Sequence, residues 1–457
     1  MTQEIQFTVY GDRVKAIYLE TGVSKYDDNP LIEALPPILT NDEAISELSY
    51  YPFFDEKDRN APKHLRYHII QNGLKFFSAL DINLDLERRI SSMIRVGYTD
   101  RNPIKRGVWK KLEDRISQLT ITSRNQYNLT KNYKSTAAIG FNIIGISGIG
   151  KTQTVENILR LYPQVINHNQ YKQKKFTQTQ IVWLKLECPF DGSIKGLCFN
   201  FFLSVDDILG TNYFKKYAEA KTVDQMLPNV ARVASNHFIG VLVIDEIQRL
   251  SKAKSGGEQK MLDFFVQLVN KIGVPIILIG TFKALPLLSG SLSQMRRGSG
   301  QGDVIWDRME FDAQWQLLVE ALWKYQYVHN PCNLKDSLKL SKVLYEESQG
   351  ITDLAIKLFM FSQETAISSE QEEINSSVIR ATAKNKFRLL QPVIKAFKNK
   401  EKEALKDFED AYPAFLLDLI VTPLKPNQIV GAVCNEPEIK INLTSESQTN
   451  EEKGVKR

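Results

Sequence analysis

The run Ile143-Ile144-Gly145-Ile146-Ser147-Gly148-Ile149-Gly150-Lys151-Thr152 constrains this 457-residue chain more than any other feature, because an apolar strand here ends in G-x-x-x-x-G-K-T. Glycines at this spacing let successive backbone N–H groups curl around phosphate oxygens. A lysine adds a cation opposite the β- and γ-phosphates, and a threonine hydroxyl is a ligand for Mg²⁺. The stretch from Lys151 to Leu161 has helical spacing, so the positive end of a helix dipole would face the same anion. The segment therefore predicts ATP and Mg²⁺ at Gly145, Ser147, Gly148, Ile149, Gly150, Lys151, Thr152 and Gln153. The alternative is a Gly-rich strand-to-helix turn with no ligand, and context separates the two.

That context is a second apolar run, Val241-Leu242-Val243-Ile244, which ends in Asp245-Glu246 roughly ninety residues further on, within the length of one α/β domain. Such a pair reads as a Walker B site. Asp245 would hold Mg²⁺ directly or through water, and Glu246 would orient the water that attacks the γ-phosphate. A third run, Pro275-Ile276-Ile277-Leu278-Ile279-Gly280-Thr281, ends in a polar residue. Thr281 at that strand end would sit beside the two carboxylates and sense the γ-phosphate or the water.

With 43% hydrophobic and 25% charged residues, the chain can bury one large core and one or two smaller ones. No window approaches the 18 or more uninterrupted apolar residues of a membrane span, and Met1-Thr2-Gln3-Glu4 lacks the blocks of a signal peptide, so a cytoplasmic protein without a membrane partner is expected. The four cysteines, Cys188, Cys198, Cys332 and Cys434, are widely separated, which fits reduced thiols better than a disulfide frame or a zinc site. The net charge of +6 concentrates in Lys105 to Lys111, Lys252 to Lys260, Arg296-Arg297 and Lys384 to Lys406. This distribution fits a face turned to a polyanion such as DNA, and it fits an ordinary solvated surface equally well.

The spacing of apolar residues divides the chain. Residues 1–60 read as an N-terminal arm or small strand pair, built on Ile5 to Tyr10 and Arg13 to Tyr18. Residues 61–135 read as a helical lead-in, with helices over Leu65 to Leu80, Leu84 to Val96 and Lys105 to Leu119. Strands and helices then alternate over 136–311: Ile139 to Ile146, Lys151 to Leu161, Ile181 to Leu186, Ile194 to Leu209, Val223 to Phe238, Val241 to Ile244, Lys260 to Ile272 and Val274 to Ile279. Alternation of this kind predicts an α/β core with a parallel sheet and helices on both faces. Residues 312–388 read as an all-helical lid over Ala313 to Tyr325, Leu334 to Glu347, Ile351 to Gln363 and Ser376 to Phe387. Residues 389–434 read as a helical extension, with an apolar patch at Tyr412 to Val421, and the polar residues 435–457 as a disordered tail.

A P-loop, a Walker B strand ending in Asp-Glu, a polar sensor strand and a helical lid together resemble the AAA+ ATPases. Within that group, the segments Ile94 to Tyr98 with Arg101-Asn102-Pro103, Leu184 to Pro189 with Gly192 to Lys195, Gly240 to Gln248, Asn270 to Pro275 with Gly280-Thr281, and Arg296 to Asp303 are similar to TnsC. TnsC is the regulator of Tn-seven-like transposons, related to TniB and MuB. The resemblance spans roughly residues 90 to 360. It implies an ATPase that forms homo-oligomeric rings or filaments on double-stranded DNA. Such an assembly would take a signal from a target selector of TnsD or TniQ type and recruit the transposase subunits TnsA and TnsB.

The resemblance also implies residue roles. Arg296 or Arg297 would be the arginine finger that acts in a neighbouring protomer's site, or a solvated or DNA-facing pair. DNA contacts would come from Lys195, from Lys215, Lys216 and Lys221, or from the loop lysines Lys252 and Lys254, touching phosphates with little sequence preference. Asn102 and Pro103 would belong to a linker around the adenine, or else to a simple turn. The second sensor arginine of many AAA+ lids is missing from Gly350 to Lys357, where Lys357 is the available cation. A STAND-like signalling ATPase and a helicase-loader-type AAA+ protein are the competing readings.

Overall fold

The computed structural model describes residues 6–7, 11–122, 140–219, 222–252, 265, 269, 272–285, 288, 302–332, 334–399 and 401. Contacts divide the chain into a body over Met1–Pro413 and a unit over Ala414–Arg457, the latter outside the described residues. The apolar patch from Tyr412 and the polar tail therefore lie outside the described residues.

The N-terminal part runs β1 (Gln6–Phe7), β2 (Asp12–Lys15), α1 (Pro30–Glu33), α2 (Asn41–Leu48), α3 (Lys63–Ile70), α4 (Asp81–Thr99) and α5 (Val108–Thr122). Helix α2 starts with a capping box, in which the Glu43 amide donates to Thr40 Oγ1 and the Thr40 amide donates to Glu43 Oε2. Helix α4 carries Leu86, Ile90, Met93 and Ile94 at three- and four-residue spacing, all 0% exposed. They pack into one core with Ile143, Val243 and Ile277 of the sheet. Each such buried side chain stabilises the fold by about 1.5–3 kcal/mol, which holds this long helix against the sheet.

The core follows as β3 (Phe141–Gly145), α6 (Lys151–Arg160), β4 (Val165–Tyr171), β5 (Lys174–Ile181), β6 (Trp183–Glu187), α7 (Ile194–Leu209), α8 (Tyr213–Tyr217), α9 (Val223–Asn236), β7 (Val241–Asp245), β8 (Ile276–Gly280) and β9 (Val304–Trp306). Among the described residues, five strands form a sheet in the order β6-β7-β8-β3-β9, every pair parallel. Strands β3, β7 and β8 are buried along their whole length, as a sheet covered on both faces requires. This is the α/β core with a parallel sheet that the alternation of strands and helices predicts. The expected helix over Lys260 to Ile272 lies outside the described residues except at Phe265, Val269 and Ile272.

Two strands arise where the sequence pattern indicates none. Strands β4 and β5 form an antiparallel hairpin, and β2 adds to β4 in parallel, giving a second sheet in the order β1-β2-β4-β5. The hairpin turns through Lys172 and Gln173, both with positive φ (44° and 63°). Turns of that shape normally announce themselves by Asn-Gly or Asp-Gly, and here neither residue of the pair is a turn former.

The chain ends its described part in α10 (Ala313–Trp323), α11 (Leu334–Ser348), α12 (Thr352–Ser368), α13 (Ser376–Lys386) and α14 (Gln391–Asn399). The first four coincide with the expected lid helices. They close over a separate core of Trp315, Leu322, Leu344, Leu358 and Phe359, which Ile70 and Phe76 of the lead-in also enter. Trp315 is fully buried and its indole N–H donates to Ser341 Oγ at 3.0 Å.

Candidate nucleotide-binding site

The loop between β3 and α6 is shaped by Gly148 and Gly150, whose φ values of 78° and 100° lie in the left-handed region that side chains resist. The loop opens into a cavity of about 380 Å³. Its floor is Ser147 to Thr154 with Asp245, Glu246, Gly280 and Thr281 from the ends of β7 and β8. A larger cleft of about 1030 Å³ lies beside it, between residues 36–50 and the outer face of α6. The smaller cavity is the one into which the phosphate-binding loop and both carboxylates open.

Lys151 is buried, with Nζ donating to the Gly145 and Ile146 carbonyls at 2.9 and 2.6 Å. Thr152 Oγ1 donates to Asp245 Oδ2 at 2.9 Å, so the two expected Mg²⁺ ligands meet across the strand ends. A hydroxyl and a carboxylate are hard oxygen donors that suit Mg²⁺. The Glu246 amide donates to Asp245 Oδ1 at 2.8 Å, and Glu246 itself has φ 60°, an uncommon conformation for a non-glycine residue and one found at functional sites.

Gln248 joins the catalytic candidates. Its Nε2 donates to Glu246 Oε2 at 2.8 Å, and its Oε1 accepts from the Thr281 amide at 3.1 Å. The Thr281 hydroxyl is buried and has no hydrogen-bond partner among the described residues. A buried hydroxyl left unpaired costs about 1–3 kcal/mol, which fits a group aimed at a ligand or its water.

Lys185 of β6 is a further polar neighbour. Its Nζ lies 2.7 Å from Glu156 Oε1 on α6 and 3.3 Å from Asp245 Oδ2. Burial pulls its pKa down, but the bond to Glu156 and the charge of Asp245 raise it on balance, so the ammonium stays charged.

The walls come from distant parts of the chain. Leu74, Phe76, Phe77, Ser78, Leu80 and Asn83 line one side. Phe77 is fixed by paired backbone bonds to Tyr50 (2.7 and 2.9 Å), and Asn83 Nδ2 donates to Thr154 Oγ1 at 2.9 Å. Leu318, Thr352, Asp353 and Ile356 of the lid line the other side. Thr352 Oγ1 donates to the Gly148 and Ile149 carbonyls, and the Asp353 amide to Gly148 O at 3.2 Å. Lys357 is held by Asp353 at 2.7 Å, and it is Asp353, not Lys357, that lines the cavity.

The structure does not bring Asn102 and Pro103 to this cavity. They follow Arg101, whose guanidinium donates to Ile239 O at 2.7 Å just before β7, the end of the strand opposite the carboxylates. Asn102 Nδ2 donates to Asp28 O, and its Oδ1 accepts from the Ile104 amide, which makes this segment a side-chain-stabilised turn.

Lys195 is exposed on the first turn of α7 over the Phe199 ring, and Phe199 packs edge-on against Phe214 of α8, the helix that carries the exposed Lys215 and Lys216. Lys252 ends the 3₁₀ segment Ile247–Lys252. Arg296, Arg297, Lys221, Lys254 and Cys434 lie outside the described residues. Cys188 and Cys198 are buried free thiols, and burial pushes both up to about 12. Among the described residues no helix is long and apolar enough to cross a membrane.

None of the curated proteins matches this chain. Solved structures with remote similarity include the ORC2 protein of Aeropyrum pernix in ADPNP–ADP complexes (13% identity, TM-score 0.38, 72% of this chain and 85% of that one). A Walker-type ATPase of Pyrococcus abyssi matches at 11% identity and TM-score 0.37, over 68% and 87% of the two chains. A RuvB variant of Thermotoga maritima matches at 16% and 0.31, over 65% and 73%. Residues 135–288 match the family model of an AAA domain, and they contain the loop, both carboxylates and Thr281. Over that span the chain carries an AAA-family P-loop ATPase domain.

Proposed function

We propose that this protein is a Mg²⁺-dependent ATPase that uses nucleotide as an assembly switch on double-stranded DNA, as a regulator of transposition. The observation that carries the enzymatic half is the convergence in one cavity of the P-loop, the Thr152–Asp245 pair, Glu246 and the Thr281 hydroxyl, which has no hydrogen-bond partner among the described residues. In this reading the loop amides and Lys151 bind the β- and γ-phosphates, and the apolar wall of Leu74, Phe76 and Phe77 takes the base. Thr152 and Asp245 hold Mg²⁺, which when bound offsets charge on the phosphate oxygens. Glu246 orients a water for attack on the γ-phosphorus and accepts its proton. The bond to the bridging oxygen breaks, and ADP leaves with that electron pair. Gln248 ties Glu246 to Thr281, so a water or phosphate oxygen held by Thr281 is coupled to the position of the carboxylate.

The DNA half rests on the TnsC-like segments and is supported by the exposed lysines that α7 and α8 carry on packed neighbours. Rings or filaments would place Lys195, Lys215 and Lys216 repeatedly along phosphates, and Arg296 or Arg297 would complete a neighbour's site. A TnsD- or TniQ-type selector would supply the target, and TnsA and TnsB the chemistry on DNA. The test is electron microscopy of the Glu246→Gln protein with duplex DNA and ATP. Ordered rings or filaments that need both ATP and DNA support the proposal. Nucleotide-driven oligomers indifferent to DNA would replace it with the signalling-ATPase reading.

A further inference from the structure

Lys185 stands on β6 in register with Val243, two residues before Asp245, so both side chains rise from the same face of neighbouring strands. Its ammonium approaches Asp245 Oδ2 at 3.3 Å, the same oxygen that accepts the Thr152 hydroxyl at 2.9 Å. The carboxylate oxygen suited to Mg²⁺ therefore already faces a cation. Glu156 Oε1, at 2.7 Å, is the second partner of that ammonium. It stands one helical turn beyond Thr152 on α6, on the same helix face, with Arg160 at 3.8 Å. The Lys185 side chain is 18% exposed and that of Asp245 5%, so water screens the pair weakly.

One carboxylate cannot neutralise an ammonium and a dication fully, and at this separation the two cations repel. We infer that Lys185 is a positioning residue that competes with the metal for Asp245, and that Glu156 is the acceptor to which the ammonium yields when metal binds. Metal loading is then set by a three-residue balance, which places the midpoint for divalent cation at the nucleotide-bound site. This inference rests on the nucleotide reading of the cavity.

The experiment measures Mn²⁺ binding directly, from the loss of the free-ion electron paramagnetic resonance signal. It uses the full-length protein saturated with a fluorescent ADP, whose retention is followed in parallel. Lys185→Met is expected to lower the Mn²⁺ midpoint by roughly tenfold, the low end of the range for groups that act on a metal's ligands. Glu156→Gln is expected to raise it by a similar factor, because the ammonium then has Asp245 alone. In the double variant the Glu156→Gln step should change the midpoint by less than about threefold, since its effect passes through Lys185.

A tie that only braces β6 against α6 would shift thermal unfolding and leave the midpoints in place. Unchanged or higher Mn²⁺ midpoints in Lys185→Met, with ADP retained, overturn the inference alone. Should Lys185→Met not fold, Glu156→Gln keeps the question open to a result of opposite sign, and an unchanged or lower midpoint there overturns it. Failure of the parent protein to retain ADP removes the nucleotide reading itself, and this inference with it.

Discussion

The lid is joined to the lead-in by a buried ion pair whose worth can be worked from the structure. Arg66, 1% exposed on α3, donates to both Glu372 carboxylate oxygens at 2.7 and 3.2 Å, and to the carbonyls of Tyr327 and Ala61. Lys63 and His329 stand 3.2 and 3.0 Å from the same carboxylate. The hydrogen bond from Arg66 is the largest cause that holds Glu372 down at about 2, against an ordinary 4.5. A folded-state pKa below the unfolded one contributes stability that is present above the unfolded value and lost as pH falls through the folded value. Held that far below its ordinary value, the carboxylate contributes about 3 kcal/mol at pH 7 and about 1 kcal/mol at pH 3.

Glu372→Gln keeps the shape and removes the charge, so it should destabilise the lid interface by about 3 kcal/mol at pH 7, in line with breaking other buried pairs. Trp315 and Trp323, buried in the lid core, contribute to the tryptophan fluorescence that follows urea unfolding, and amide exchange of α12 and α13 assigns the effect to this region. Phe76 and Leu318 line the nucleotide cavity from the two sides of this junction, so ADP affinity should fall as well. Equal stability of parent and variant at pH 7, or a difference that does not shrink toward pH 3, would refute the reasoning.

Glu246→Gln should slow hydrolysis by several orders of magnitude with ATP binding intact; turnover within about twofold of the parent in a phosphate-release assay removes the assigned role. For Lys151→Ala, loss of the cation facing the phosphates should abolish ATP binding in equilibrium dialysis and any nucleotide-dependent DNA retention with it. A Cβ on Gly280 would lie 2.7 Å from Ile247 Cγ1 and 3.0 Å from Gln248 Oε1. Gly280→Ala should therefore displace the Gln248 carboxamide and lower kcat by at least about tenfold, while ATP affinity changes little, and an unchanged kcat would deny Gln248 its coupling role. Duplex binding should fall steeply with salt and vary little with sequence, and Lys195→Ala should flatten the salt slope; a flat parental slope would count against phosphate contacts.

Whatever depends on neighbours along the chain can be read from the order of residues. Nine consecutive residues, Gly145 to Gln153, carry the phosphate loop because its amides, lysine and hydroxyl act through local backbone geometry. Asp245-Glu246 and Thr281 were legible as polar ends of apolar strands, and the lid helices as three- and four-residue spacing of large apolar side chains. The hairpin of β4 and β5 was not, since its turn lacks the residues that advertise positive φ. Spacing left Asn102 and Pro103 open between a linker around the adenine and a simple turn, and the structure makes them a turn at the far end of the strands.

Which distant groups share the cavity follows from the folding of the chain in three dimensions. Parallel pairing sets Lys185 beside Val243 and so brings its ammonium to Asp245 and Glu156. The Tyr50–Phe77 bridge presents an apolar wall to a loop some seventy residues away. Gln248 gained its role from a turn that aims one carboxamide at both Glu246 and Thr281. Contacts of this kind depend on strand order, register and helix docking, which fall out of the packing of whole apolar faces and leave no mark on the spacing of the residues they bring together.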